Sequence, residues 1–136
     1  MIVLDTNVLS ELMKTSPDPR MAAWLQALDS TSLAVSTVTI AEVTYGLARL
    51  PAGRRRDDLV NGFESLLEAL SILALDDAAA REAGRLRAKR EAAGLSSSPS
   101  DMMIAGCVSA AGAGLATRNV RDFAGLDLEL FDPWAG

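Results

Sequence analysis

Four acids, Asp5, Glu42, Asp101 and Asp122, stand out in a chain of 136 residues that contains no histidine. Each falls where a strand would end or where a helix would begin or turn inward. Without imidazole, a Ser-His-Asp triad, a Cys-His pair and a histidine general base are all excluded. Hydrolysis in such a chain has to run on carboxylates and on whatever cations they hold, and converging acids suit a hard divalent metal.

The elements that position these acids follow from apolar patterning. Ile2-Val3-Leu4 is a continuous apolar triplet stopped by Asp5-Thr6-Asn7, as in a buried parallel strand that ends in a polar turn. Leu33–Val35, Ile72–Leu75 and Gly114–Ala116 repeat the pattern. Helices are expected over Val8–Met13, Met21–Leu28, Val38–Leu50, Arg54–Leu70, Ala78–Ala93 and Met102–Ala111. This alternation predicts an α/β fold with a parallel sheet. Leu126–Leu130 alternates with period two and reads as a half-exposed edge strand. Pro51-Ala52-Gly53 separates two helices, Asp76-Asp77 supplies an N-cap, and Gly94–Pro99 is a small polar loop.

With 49% hydrophobic residues, the chain can build a core on both faces of a sheet, and residues 1–136 read as one domain. No apolar run approaches the roughly 20 residues that cross a bilayer, and the N-terminus is too quickly charged for a signal peptide, so a cytoplasmic protein is expected. The lone Cys107 lies in an Ala/Gly/Met-rich helical stretch and reads as a small core residue. Eighteen acids against 13 bases give a net charge of −5, the wrong sign for coating nucleic acid non-specifically. If the four acids share cations, however, the rest of the chain is nearly neutral, and a polyanionic substrate remains compatible.

Each acid has an ordinary reading beside the functional one. Asp5 follows an apolar first strand at the ligand-binding edge of an open sheet, yet it could equally cap the next helix. Glu42 falls between Val38 and Tyr45 on one side and Thr39, Gly46 and Arg49 on the other; on helical geometry alone, a narrow solvated stripe is the better reading. Asp101 is the third helical residue after a Ser98 cap with Pro99 first, which suits capping, and also suits a carboxylate kept ionised for a metal. Asp122 stands in the same relation to Asn119.

Other charged runs are less telling. The side chains of Asp57-Asp58 and Asp76-Asp77 point about 100° apart on a helix and do not converge on one ion. Arg54-Arg55-Arg56 reads as a solvated face in preference to an RNA contact. Gly112-Ala113-Gly114 precedes a strand where a dinucleotide loop would follow one, and reads as a helix C-cap.

Four segments are familiar in order and spacing: Met1–Glu11, Ser36–Gly46, Ser100–Ala105 and Thr117–Phe123. They resemble the motifs of PIN-domain toxins of the VapC type, especially the FitB-like branch. The likeness extends over Ala48–Arg56 and the terminal Asp132-Pro133-Trp134. The resemblance implies a three-layer α/β/α sandwich and a homodimer that also assembles with a cognate VapB/FitA-like antitoxin. It further implies Mg²⁺- or Mn²⁺-dependent cleavage of RNA. Asp5, Glu42, Asp101 and Asp122 fall on the family's four acidic positions, and Thr6, Asn7, Thr117 and Asn119 on polar positions around them. Ser98-Pro99-Ser100 departs from the small residues that relatives often carry before the third acid, which bears on loop shape.

On that resemblance, Asp5 is the central metal ligand, Asp101 and Asp122 complete one or two cation sites, and Glu42 binds through water or orients the attacking water. Products with 5′-phosphate and 3′-hydroxyl are expected, since no histidine is present to drive attack by the 2′-hydroxyl. Two rivals come from other classes. A phosphate-transferring enzyme or phospho-receiver would use Asp5 as covalent acceptor, but Asn7 replaces the second acid of an Asp-x-Asp signature, and Lys14 and Lys89 both fall in helical segments. A non-catalytic binding module on the same fold would be expected to lack an acid.

Overall fold

A computed structural model describes residues 1–28 and 32–135, so residues 29–31 and 136 of the expected domain lie outside it. In chain order the elements are β1 (Ile2–Leu4), α1 (Thr6–Leu12), α2 (Pro19–Gln26), β2 (Leu33–Ser36), α3 (Thr37–Ala48), α4 (Arg54–Glu68), β3 (Ser71–Leu73), α5 (Asp77–Ala92), α6 (Pro99–Ala110), β4 (Gly114–Ala116), a 3-10 turn (Val120–Phe123) and β5 (Leu130–Phe131). The strands form one sheet in the order β3-β2-β1-β4-β5. Every pairing is parallel, with Val3 opposite Ala34 on one side and Leu115 on the other.

Alternation along the strands sorts side chains into two cores. Leu4, Leu33, Val35 and Ala116 pack with Val8 and Leu9 of α1, Met21 of α2, Val43 and Leu47 of α3 and Phe63 of α4. Val3, Ala34 and Leu115 face the other way, against Leu86 of α5 and Met102, Ile104, Ala105 and Val108 of α6. The result is the expected three-layer α/β/α sandwich. Cys107 is buried, and its burial pushes the thiol up, in keeping with a core role. Among the described residues, no helix is long and apolar enough to cross a membrane.

The helix starts follow local chemistry. Side chains of Asp18, Ser36, Asp76 and Ser98 each accept a backbone N–H in the first turn of α2, α3, α5 and α6. Pro19 and Pro99 stand where a missing N–H costs nothing. Gly112, at φ 62°, closes α6 by letting Ala113 N–H reach the Val108 carbonyl at 3.0 Å.

Several expectations need correction. The apolar run at 72–75 is no buried strand: β3 is an edge, and Ile72 is 53% exposed. The last strand is an edge as expected, but it is confined to Leu130–Phe131. Gly125 and Asp127 adopt positive φ (81° and 58°), which breaks an extended path through 126–129. α1 begins at Thr6 and ends at Leu12, so Lys14 lies beyond it, paired with Glu11 at 2.9 Å. Arg54 and Arg55 form the expected exposed face, whereas Arg56 turns back toward the Leu50 carbonyl at 3.4 Å.

Candidate active site

Because β2, β1 and β4 are adjacent and parallel, they end at one edge of the sheet, and the residues that follow them become neighbours. The chain winds from β1 through β2 to β3 on one side, then returns to β4 on the other side of β1. The crevice between β1 and β4 is therefore the topological switch point, where open α/β sheets bind ligands. Asp5 stands there, its N–H donated to the Ala116 carbonyl at 2.9 Å.

Asp5 caps α1 with one oxygen and reaches across to the end of β4 with the other. Oδ1 accepts the Thr6 N–H at 2.8 Å at the start of α1, as a cap does. Oδ2 accepts the Thr117 hydroxyl at 2.7 Å and the Asn7 amide at 3.3 Å. Only 4% exposed, the carboxyl is pushed above its usual range by burial, which outweighs the lowering by Thr117, Thr6 and Asn7; the charge of Asp122 adds to the rise.

Glu42 does not lie on a solvated stripe. It is half-buried, and Oε1 accepts the Thr6 hydroxyl at 2.9 Å, joining α3 to the first residue of α1. Thr6 also lies 3.3 Å from the hydroxyl of the fully buried Thr39, which in turn stands 3.4 Å from that of Ser36. Sequence reasoning missed Ser36 and Thr39. Their signal was the echo of Asp5-Thr6 in Ser36-Thr37, a polar pair that ends the neighbouring strand.

Asp101 is brought to the same edge by α6. Ser98 Oγ accepts its backbone N–H at 3.4 Å, so the cap is made by the serine, while the Asp101 carboxylate has no hydrogen-bond donor among the described residues. Burial and then the charges of Asp5, Asp122 and Glu42 push this carboxyl up to about 6, with Arg90 opposing them. Asp122 rides on the 3-10 turn, whose start is fixed by its own N–H donated to the Asn119 carbonyl at 2.9 Å. Its carboxylate likewise makes no hydrogen bond or ion pair among the described residues, so helix capping does not account for it. An open cleft of about 360 Å³ runs along Arg118–Asp122.

The supporting polar residues divide. Asn7 donates to Asp5 and accepts the Arg118 N–H at 3.1 Å. Thr117 accepts the Asn119 N–H at 3.0 Å. Asn119 contributes through its backbone alone, its side chain being exposed. Arg118 stacks 5.0 Å over the Trp134 ring, which seats the C-terminal Asp132-Pro133-Trp134 segment beside the β4 end.

The fold thus brings Asp101 within electrostatic reach of Asp5, Asp122 and Glu42, and Asp5 within reach of Asp122, with none of the four ion-paired to lysine or arginine among the described residues. Among the same residues, no three acidic or thiol side chains meet closely enough to hold an ion as they stand. The donors are carboxylate oxygens alone, the chemistry of a hard divalent cation. A covalent acceptor role suits Asp5 poorly, since both its oxygens are engaged and Lys14 and Lys89 are paired elsewhere, with Glu11 and Asp127.

The PIN domain family model matches residues 2–127. The chain is 39% identical over 137 aligned positions to VapC ribonuclease Y4jK of Sinorhizobium fredii, covering 98% of each protein. It is 31% identical to Toxin FitB of Neisseria gonorrhoeae, covering 98% of this chain and 99% of that one. The crystal structure of FitAcB from Neisseria gonorrhoeae superimposes with a TM-score of 0.91 at 32% identity, over 98% of this chain and 99% of the other.

Proposed function

The chain belongs to the PIN-domain family, and on that premise we propose that it is a divalent-metal-dependent endoribonuclease, the toxin of a toxin–antitoxin pair, folded as a single PIN unit. One observation supports the reading: the charges of Asp5, Asp122 and Glu42, each from a separate element, all bear on Asp101 at this edge of the sheet, and among the described residues no lysine or arginine is ion-paired to any of the four. Such an arrangement is unfavourable by itself and becomes favourable when a cation enters. The relatives' names, a ribonuclease and a toxin, supply the reaction class.

In this reading Asp5, Asp101 and Asp122 hold Mg²⁺, or Mn²⁺ in its place, and Glu42 contributes through water. When bound there, the cation would supply positive charge to ease deprotonation of an attacking water near neutral pH and to balance charge gathering on the phosphate. Asp5 is held for this by Thr117, Asn7 and the Thr6 amide, which fix both of its oxygens. Thr6 orients Glu42 toward the same edge, where its free oxygen can hold a water beside the scissile phosphate. Asp101 and Asp122, whose carboxylates have no protein donor among the described residues, keep their lone pairs for the ligand. Cleavage by water leaves 5′-phosphate and 3′-hydroxyl ends. We read the working form as a homodimer that is silenced by its cognate antitoxin.

Incubation of a mixed RNA pool with the purified protein tests the reading. Cleavage with Mg²⁺ or Mn²⁺ that stops in excess chelator is the expected result. Equal cleavage in chelator removes the metal from the mechanism, and no cleavage under any condition removes the nuclease.

A further inference from the structure

Arg90 is the one buried basic side chain among the described residues, only 4% exposed. It completes the inward stripe of α5, after Ala79, Ala83 and Leu86, at a position where an apolar residue would serve burial alone. A buried charge is costly unless its hydrogen bonds are well made. Among the described residues no carboxylate is ion-paired with it, although its charge reaches Asp101. Nε and Nη2 donate to the Ser96 carbonyl at 3.0 and 2.8 Å, and Nη1 donates to the Ala124 carbonyl at 2.7 Å.

Those two carbonyls belong to separate segments; Glu91 of α5 also reaches Ser97 at 3.4 Å and Lys89 reaches Asp127 at 3.0 Å, but among the described residues Arg90 is the one side chain of α5 bonded to both segments. Ser96 lies in the loop that leads to the Ser98 cap and so to Asp101. Ala124 directly follows the turn that carries Asp122. A planar guanidinium that grips one carbonyl with two donors and the other with a third fixes their distance and angle together, which a lysine ammonium cannot do.

We propose that Arg90 is a positioning residue that sets the spacing between Asp101 and Asp122 by holding the backbone segment beside each. The proposal rests on the reading of those two acids as metal ligands. Side chains that orient ligands without touching the metal commonly change its affinity by 10–100-fold, so the effect should be measurable.

The test uses the full chain and the variant Arg90→Lys, with Phe63→Leu as a control that disturbs the opposite core. In metal-free protein, amide hydrogen exchange should quicken in Arg90→Lys at both 96–101 and 119–124, with β1 and α3 unchanged. Mn²⁺ affinity, followed by the electron resonance signal of the free ion, should fall roughly tenfold in Arg90→Lys and stay at the parent value in Phe63→Leu. Loosening of one segment only, or of neither, overturns the proposal, as does unchanged Mn²⁺ affinity in Arg90→Lys or an equal loss in the control. A parent that binds no Mn²⁺ overturns the metal-site reading itself, an outcome visible before any variant is compared.

Discussion

Thr117 Oγ1 donates to Asp5 Oδ2 at 2.7 Å, a bond between the ends of two adjacent strands. The same oxygen accepts from Asn119 N–H and stands 3.4 Å from the Asn7 amide, so one hydroxyl organises three neighbours. Thr117→Val keeps the shape and removes all of this. It should lower stability by about 1.5–3 kcal/mol, the range for hydrogen bonds to charged groups, while Thr117→Ser restores most of the loss. Urea unfolding at neutral pH measures it; a valine variant as stable as the parent would show that the bond contributes nothing.

Asp5→Asn keeps the oxygen that caps α1 and removes a charge from a crowded pocket. Without metal the variant should melt at or above the parent temperature, whereas loss of a helix cap would cost about 1 kcal/mol. Magnesium at a hundredfold excess over its dissociation constant should stabilise the parent by roughly 2.7 kcal/mol and the variant hardly at all. Expressed without antitoxin, the parent should arrest growth and the variant should not. A variant that melts lower, still gains from magnesium and still arrests growth places Asp5 outside the site.

Asp101 gives a pH signature. Its carboxyl sits at about 6 in the folded chain against a reference of 3.8, so between those values the native state binds more protons than the unfolded state does. Its contribution to stability is therefore full below about pH 4 and is lost as pH rises through about 6. Asp101→Asn should flatten the stability profile of the metal-free protein across that window and raise stability at pH 7. Metal affinity of the parent should climb over the same interval as the proton leaves. Denaturant midpoints at intervals of half a pH unit provide the check; parallel profiles for parent and variant would remove Asp101 from the cluster.

Two glycines predict opposite outcomes. A Cβ on Gly106 would meet the Ala79 carbonyl and lie 2.8 Å from Ala83 Cβ, whereas one on Gly84 would meet nothing within 4 Å. Alanine in an open helix position stabilises by up to about 1 kcal/mol. Alanine in a filled one costs about 1–3 kcal/mol. Gly84→Ala should therefore raise the melting temperature and Gly106→Ala lower it. A shift of the same sign in both would mean that α5 and α6 are not in close contact at Gly106.

The legible parts of this fold were those decided locally. Ser98-Pro99 announces the start of α6, and Ile2-Val3-Leu4 followed by Asp5 announces a buried strand with an acid at its end. What depended on neighbours was not legible. The run at 72–75 carries the same apolar pattern as the central strands, and only strand order makes it an edge. Glu42 sits between an apolar and a polar stripe of α3, and the Thr6 hydroxyl, far away in sequence, decides its direction. Arg90 lies in a helix crowded with arginine and glutamate; only its phase with Ala79, Ala83 and Leu86 separates it from exposed neighbours such as Arg81 and Arg87.

The sheet order has a consequence for how this protein comes into being. β1 precedes the other described elements in chain order, yet it takes the centre of the sheet, and one of its two partners is β4, residues 114–116. Until residues 114–122 have been synthesised, β1 has an open flank, Asp5 lacks Thr117, and Asp122 is not yet present. A nascent chain of this topology acquires its acidic pocket in the same step that closes its core. Whatever the site binds therefore has no place to bind before β4 docks, with the fold itself acting as the timer.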